Sequence, residues 1–154
     1  MKTRTAVLTL ATCLVGLTLC FAQNSMIGTW NINEAKSKLG PGAAKNSTVV
    51  YEAAGDNIKC TIDGVDDQGK PSHIEWTGKF DGKDYPLTGD SNADMRTYKK
   101  SNERTMDGIT KKDGKVTGTS HIAVSADGMS RTVTTDLTNS AGKKTHSVTF
   151  YDKQ

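Results

Sequence analysis

Few residues of this 154-residue chain combine the types and spacings that chemistry requires. His73 and Glu75 stand two apart, which on a strand puts a nitrogen ligand and a carboxylate on one face. One histidine with one carboxylate falls short of a metal site, and the face they share lies opposite Trp76, on the side that meets water. Asp66-Asp67 invites a calcium reading, yet the alternating oxygen ligands and closing glutamate of a calcium loop are missing. Serines, histidines and acids are scattered, without a nucleophile elbow or a paired-carboxylate context, so the chain reads as a non-enzyme using no cofactor and no metal.

Two further residues stand out. Cys60 keeps step with Ile58 and Ile62, which predicts a small buried hydrophobe rather than a reactive thiol, since no basic neighbour is placed to lower its pKa. Arg131 has more at stake. If it points inward, its guanidinium requires an acidic partner or an anionic ligand, because an unpaired buried charge is very costly. If the strand is out of register by one residue, it is solvated, and the residues alone leave both open.

The elements that would carry these side chains are strands. Five Asp-Gly pairs, at 63-64, 81-82, 107-108, 113-114 and 127-128, supply the positive φ angles of tight hairpin turns between alternating runs. Trp30 and Ile32 alternate with polar neighbours, as do Ile58, Cys60 and Ile62, then Ile74, Trp76, Gly78 and Phe80. Later come Val116, Gly118, Ser120, Ile122 and Val124, then Arg131, Val133, Thr135 and Leu137, and finally His146, Val148 and Phe150. Asn33 is placed to cap one short helix over 34–39, which Gly40-Pro41 would end. Between 84 and 112 the pattern is weak: Tyr85-Pro86-Leu87 reads as a short extended piece, and the following strand as interrupted near Asp107-Gly108. The expectation is an all-β, up-and-down antiparallel barrel of nine or ten strands, with one short helix after the first strand.

Residues 1–22 are set apart from that domain. Lys2 and Arg4 precede an apolar stretch from Ala6 to Leu19 ending at Cys20-Phe21-Ala22, the pattern of a cleaved secretory signal. The stretch is too short to span a bilayer comfortably, so no transmembrane segment is expected. Residues 23–154 form one domain, secreted or periplasmic, in which Cys60 stands alone and no internal disulfide is possible. Removing Lys2 and Arg4 from 20 basic residues leaves 18 against 17 acidic ones, too even a balance for a nucleic-acid partner.

Gly28-Thr29-Trp30, opening the first strand, resembles the Gly-x-Trp motif that begins lipocalins and intracellular fatty-acid-binding proteins. The stretches Glu75-Trp76-Thr77-Gly78, Asp81-Gly82-Lys83-Asp84-Tyr85-Pro86 and Thr88-Gly89-Asp90, with the closing Tyr151-Asp152-Lys153-Gln154, are similar to secreted bacterial proteins without assigned function. The resemblance implies a calycin-type barrel with Trp30 at its closed end. It also marks departures. Fatty-acid-binding proteins hold a carboxylate with an Arg-x-Tyr on the last strand, whereas Arg96-Thr97-Tyr98 lies mid-chain; lipocalins place a late arginine over the motif tryptophan, and after Arg131 only lysines remain. The scaffold is implied, but not the ligand chemistry.

The inward faces predict a lumen lined by Ile58, Cys60, Ile62, Trp76, Phe80, Ile122, Arg131, Val133, Val148 and Phe150. With two Trp, four Tyr and three Phe in the chain and many small Thr, Ser and Gly at facing positions, two readings follow. One is a monomer binding a small apolar or amphipathic ligand inside the barrel. The other is a structural or protein-interaction module of the cell envelope with a filled barrel.

Overall fold

The computed structural model describes residues 24–138 and 141–154, so the secretory leader read at 1–22 lies outside the described residues. Ten strands follow one another: β1 (Gly28–Ile32), β2 (Lys45–Ala54), β3 (Asn57–Val65), β4 (Pro71–Gly78), β5 (Asp81–Thr88), β6 (Met95–Lys100), β7 (Thr105–Lys112), β8 (Lys115–Val124), β9 (Ser130–Thr138) and β10 (Lys144–Lys153). Each pairs antiparallel with its sequence neighbours, and β1 pairs with β10, so the sheet closes into an up-and-down barrel. Closure removes the free strand edges that an open sheet would expose.

Turn chemistry drives the meander, though by fewer Asp-Gly pairs than the spacing suggested. Asp113-Gly114 is the two-residue hairpin expected, with φ of 50° and 76°. Asp63-Gly64 and Asp107-Gly108 instead lie inside β3 and β7. There glycine is required for space. A Cβ on Gly64 would strike the backbone of Lys45 beside the β2 bulge, and one on Gly108 would enter the Tyr98 ring and the Ser120 hydroxyl. The weakly patterned stretch resolves into β5, β6 and an uninterrupted β7, with Pro86 inside β5.

The short helix does not form; no helix occurs among the described residues. Asn33 does cap a turn, its Oδ1 accepting from the Lys36 backbone N–H at 3.2 Å. After that single turn the chain extends and Lys38 exchanges two backbone hydrogen bonds with Val148, at 2.8 and 2.9 Å. β1 reaches only as far as Tyr151 on β10, so the rest of that strand presents unpaired backbone groups. Satisfying them outweighs a six-residue helix, which is too short to recover its nucleation cost.

Inward side chains form one core, including Trp30, Tyr51, Cys60, Trp76, Tyr98, Met106 and Ile122. Trp30 sits at the closed end, its indole N–H donating to the Met26 carbonyl at 2.9 Å, with Met26 fully buried below it. Gly28 opens the strand at φ 129°, a left-handed-side angle that a side chain would resist, and its Cα faces the Lys153 side chain.

Candidate functional site

The lumen is divided. On the β2–β6 side, five rings pack edge to face or stacked: Trp76 lies 5.0 Å from Tyr98, 5.9 Å from Tyr85 and 6.2 Å from Phe80, and Tyr51 lies 6.1 Å from Phe80 and 6.3 Å from Tyr98. The Trp76 N–H donates to the Arg96 carbonyl at 3.1 Å, which fixes the ring against β6. Across from this wall, β10 turns Thr145, Ser147 and Thr149 inward, and all three are buried.

That orientation corrects the reading of β10. Val148 and Phe150 were expected inside, but they lie on the outer face and are half-buried, while Tyr151 points in. The apolar residues of β10 alternate on the wrong side for a simple hydrophobicity rule, and the cross-strand partners decide: Tyr151 faces Arg131, Thr149 faces Val133 and Ser147 faces Thr135. The other eight expected lining residues do face the lumen or its floor. Cys60, Ile62, Trp76, Ile122 and Arg131 are buried; Ile58, Phe80 and Val133 are partly buried and packed against the core.

Two joined spaces occupy the lumen. An outer one of about 220 Å³ opens between the connections around Ala43, Asp66, Gly89–Ala93 and Thr138. An inner one of about 100 Å³ reaches down to Arg131 and Tyr151, and Asn46, Arg96, Thr110 and Leu137 line both. A groove of about 330 Å³ along β8–β10 is larger, but it is open and lies beside the exposed His146.

Arg131 is inward and 3% exposed, which settles the question of its register. Its guanidinium lies 4.7 Å from the Trp30 ring, 4.7 Å from Tyr151 and 5.4 Å from Tyr51, and its Nε and Nη1 have no hydrogen-bond partner among the described residues. Lys153 stands 5.1 Å from the same Trp30 ring. Arg96, on β6, lines the neck and approaches Asp90 at 3.9 Å. The inner space is lined by these two arginines and by no Asp or Glu.

The rings of three tyrosines surround the cations. Burial pushes the Tyr51 hydroxyl well above the ordinary range, and Tyr51 bonds the Tyr98 hydroxyl at 3.3 Å. Burial likewise pushes Tyr151 up to about 12, and its hydroxyl donates to the Asn46 carbonyl at 3.0 Å. Burial also raises the Cys60 thiol, against the opposing pull of both arginines, consistent with a packing role.

Arg96, Tyr51, Tyr98 and Tyr151 were not among the expected lining. A signal for Arg96 and Tyr98 existed in the alternation Arg96, Tyr98 against Thr97, Lys99, but the barrel register was needed to assign it a face.

The polar constellations of the outer face have structural accounts. All three histidines lie directly across from an aspartate: His73 Nδ1 is 2.6 Å from Asp63, His121 is 2.7 Å from Asp107 and His146 is 2.8 Å from Asp136. Glu75 pairs with Lys59 at 2.6 Å, which holds its carboxyl below the usual range. Asp66 accepts from the backbone N–H groups of Gln68 and Lys70, closing its own turn. Among the described residues, no group of three or more His, Cys, Asp or Glu could hold a metal. No protein-family model matches the chain, and no curated protein sequence matches it.

Proposed function

We propose that this protein is an exported, lipocalin-like barrel that binds a small amphipathic molecule in its lumen and performs no catalytic step. The observation that carries the reading is the pair of joined spaces inside the lumen, bordered on the β7–β10 side by the small side chains of Thr110, Gly118, Thr135 and Thr145 rather than by bulky core residues. The two joined spaces together approach the lower end of the roughly 300–1,000 Å³ typical of small-molecule sites. Their walls combine rings on one side with hydroxyls and guanidinium groups on the other, which suits a ligand with an apolar body and a polar end. The Gly28-Thr29-Trp30 opening and Arg131 over Trp30 support the lipocalin-like assignment, and Lys2 and Arg4 before the apolar stretch support export.

Native mass spectrometry of protein recovered from its producing cells, before and after solvent extraction, tests the reading. A co-purifying mass of a few hundred daltons that extraction removes is expected. A single unliganded mass, with no uptake of octanol or octanoate by the purified protein, would sink it. The envelope-interaction reading would then be preferred, with Met95, Ile109 and Val116 exposed on β6–β8 as its surface.

A further inference from the structure

The outer surface has one corner, at the mouth end of β6–β8, where exposed apolar side chains and unpaired positive charge meet. Val116 is 58% exposed, more than any other large apolar side chain among the described residues. In sequence it continues the alternation of Gly118, Ser120 and Ile122, but the β7–β8 register shifts between Thr110 and Lys111, and a bulge of this kind re-aims the side chains beside it. Lys111 lies opposite Val116 on one side and opposite Met95, 38% exposed, on the other. One lysine therefore stands between two exposed apolar residues.

At the tip of the same hairpin, Lys112 and Lys115 face each other directly across the ladder, an arrangement of like charges that opposes strand pairing. Lys144 borders the groove of about 330 Å³ that Val116 also lines. Among the described residues, Lys112, Lys115 and Lys144 form no ion pair, because the acids nearby are engaged elsewhere: Asp84 pairs with Lys111 at 2.6 Å, Asp94 accepts the Asp113 backbone N–H at 2.9 Å, and Asp136 lies 2.8 Å from His146. Asp113, in the turn itself, offsets part of the charge. Lysines at a strand margin commonly guard an edge against pairing, yet β7 and β8 are each paired on both sides in a closed barrel and leave no edge to guard.

Charge complementarity selects an anionic occupant, and Val116 and Met95 select one with hydrocarbon beneath its charge. An acidic polypeptide or a free phosphate would meet the lysines and leave both apolar side chains in water. An anionic bilayer meets both together, since its phosphates lie over the acyl boundary that apolar side chains enter. We infer that this corner docks the barrel on an anionic lipid surface, with Lys112, Lys115 and Lys144 at the phosphates and Val116 and Met95 in the headgroup layer. The inference goes beyond the interior-binding reading and does not depend on it.

Co-sedimentation of the protein recovered from its producing cells with lipid vesicles tests this. Vesicles of phosphatidylglycerol and phosphatidylcholine in equal parts should bind it at least about tenfold more tightly than phosphatidylcholine alone, and the preference should fade as salt rises from about 0.05 to 0.5 M. Each lysine at such a surface contributes roughly fivefold, so Lys112→Gln with Lys115→Gln should weaken binding by about tenfold or more. Lys79→Gln with Lys83→Gln removes the same charge from exposed positions on the β4–β5 side and should stay within about twofold. Val116→Ser should weaken binding by about threefold or more. No binding to the anionic vesicles, equal binding to both kinds, or equal losses in the two double variants would overturn the docking corner. Val116→Ser without effect would also overturn it, in favour of an acidic macromolecule held by charge alone. Unfolding midpoints separate a folding defect from a binding one: removing the opposed lysines should leave stability unchanged or raised. Should that double variant not fold, Lys144→Gln decides, with a loss of about threefold expected and unchanged binding overturning the inference.

Discussion

The two walls of the barrel solve the same geometric problem in opposite ways. From β2 to β6 the lumen side carries Tyr51, Trp76, Tyr85 and Tyr98, with Phe80 from the β4–β5 connection, and these rings fill the interior against one another. From β7 to β10, toward the mouth, it carries Thr110, Gly118, Thr135 and Thr145, which are too small to reach across. One wall is a packed core. The other borders a space, and the buried guanidinium groups of Arg96 and Arg131 project into it from either side. The difference is one of side-chain size, large rings on one side and small hydroxyl-bearing or glycine positions on the other, with Met106, Ile122 and Tyr151 continuing the core beneath the latter.

Truncating the packed wall should have the largest effect. Trp76→Ala and Trp30→Ala each remove a fully buried indole and its N–H bond, and each should lower stability by about 3–5 kcal/mol in denaturant unfolding. A loss under about 1 kcal/mol for Trp76→Ala would mean that the aromatic wall is not the core. Gly108→Ala probes the seam between the walls, since the added methyl meets the Tyr98 ring and Ser120 Oγ, and overpacking should cost about 1–3 kcal/mol. Thr135→Val, on the open wall, should change the unfolding midpoint by less than about 1 kcal/mol, because its neighbours do not close tightly around it. If Thr135→Val proves as damaging as Trp76→Ala, the distinction between the walls fails.

The outer face should matter least and only in acid. His121 and then Ser101 hydrogen-bond Asp107 and hold its carboxyl below the usual range. A depressed carboxyl contributes stability above its unfolded pKa, near 3.9, and loses it as the pH falls through the lower folded value. Asp107→Asn should therefore cost less than about 1 kcal/mol at pH 7, discounted for its exposure, and nothing near pH 2. His73→Ala should likewise stay under about 1 kcal/mol at pH 7. Chemical denaturation at the two pH values distinguishes these from a core effect, which would persist in acid.

Alternation and turn residues were enough to read the strands that carry one clear apolar face. Ile58, Cys60 and Ile62, then Ile74 and Trp76, announce their inward side because packing and polarity agree. The same rule misassigned β10, where the inward face is Thr145, Ser147 and Thr149 and the more apolar residues point out. It also read Asp63-Gly64 and Asp107-Gly108 as turns, because glycine is needed both where φ is positive and where another group presses on the backbone.

By itself, then, the sequence determined an antiparallel meander with Trp30 and Trp76 inside, since local periodicity and turn chemistry act over a few residues and need no distant partner. Only the tertiary structure decided which way β10 faces, that residues 33–40 abandon a helix to pair with it, and that Arg131 ends against three rings with its Nε and Nη1 unbonded among the described residues. Those outcomes depend on register across the closing seam, where Ile32 meets Tyr151 and Tyr151 meets Arg131. A one-residue slip there exchanges the faces of β10, and nothing within a single strand's own residues selects between the two.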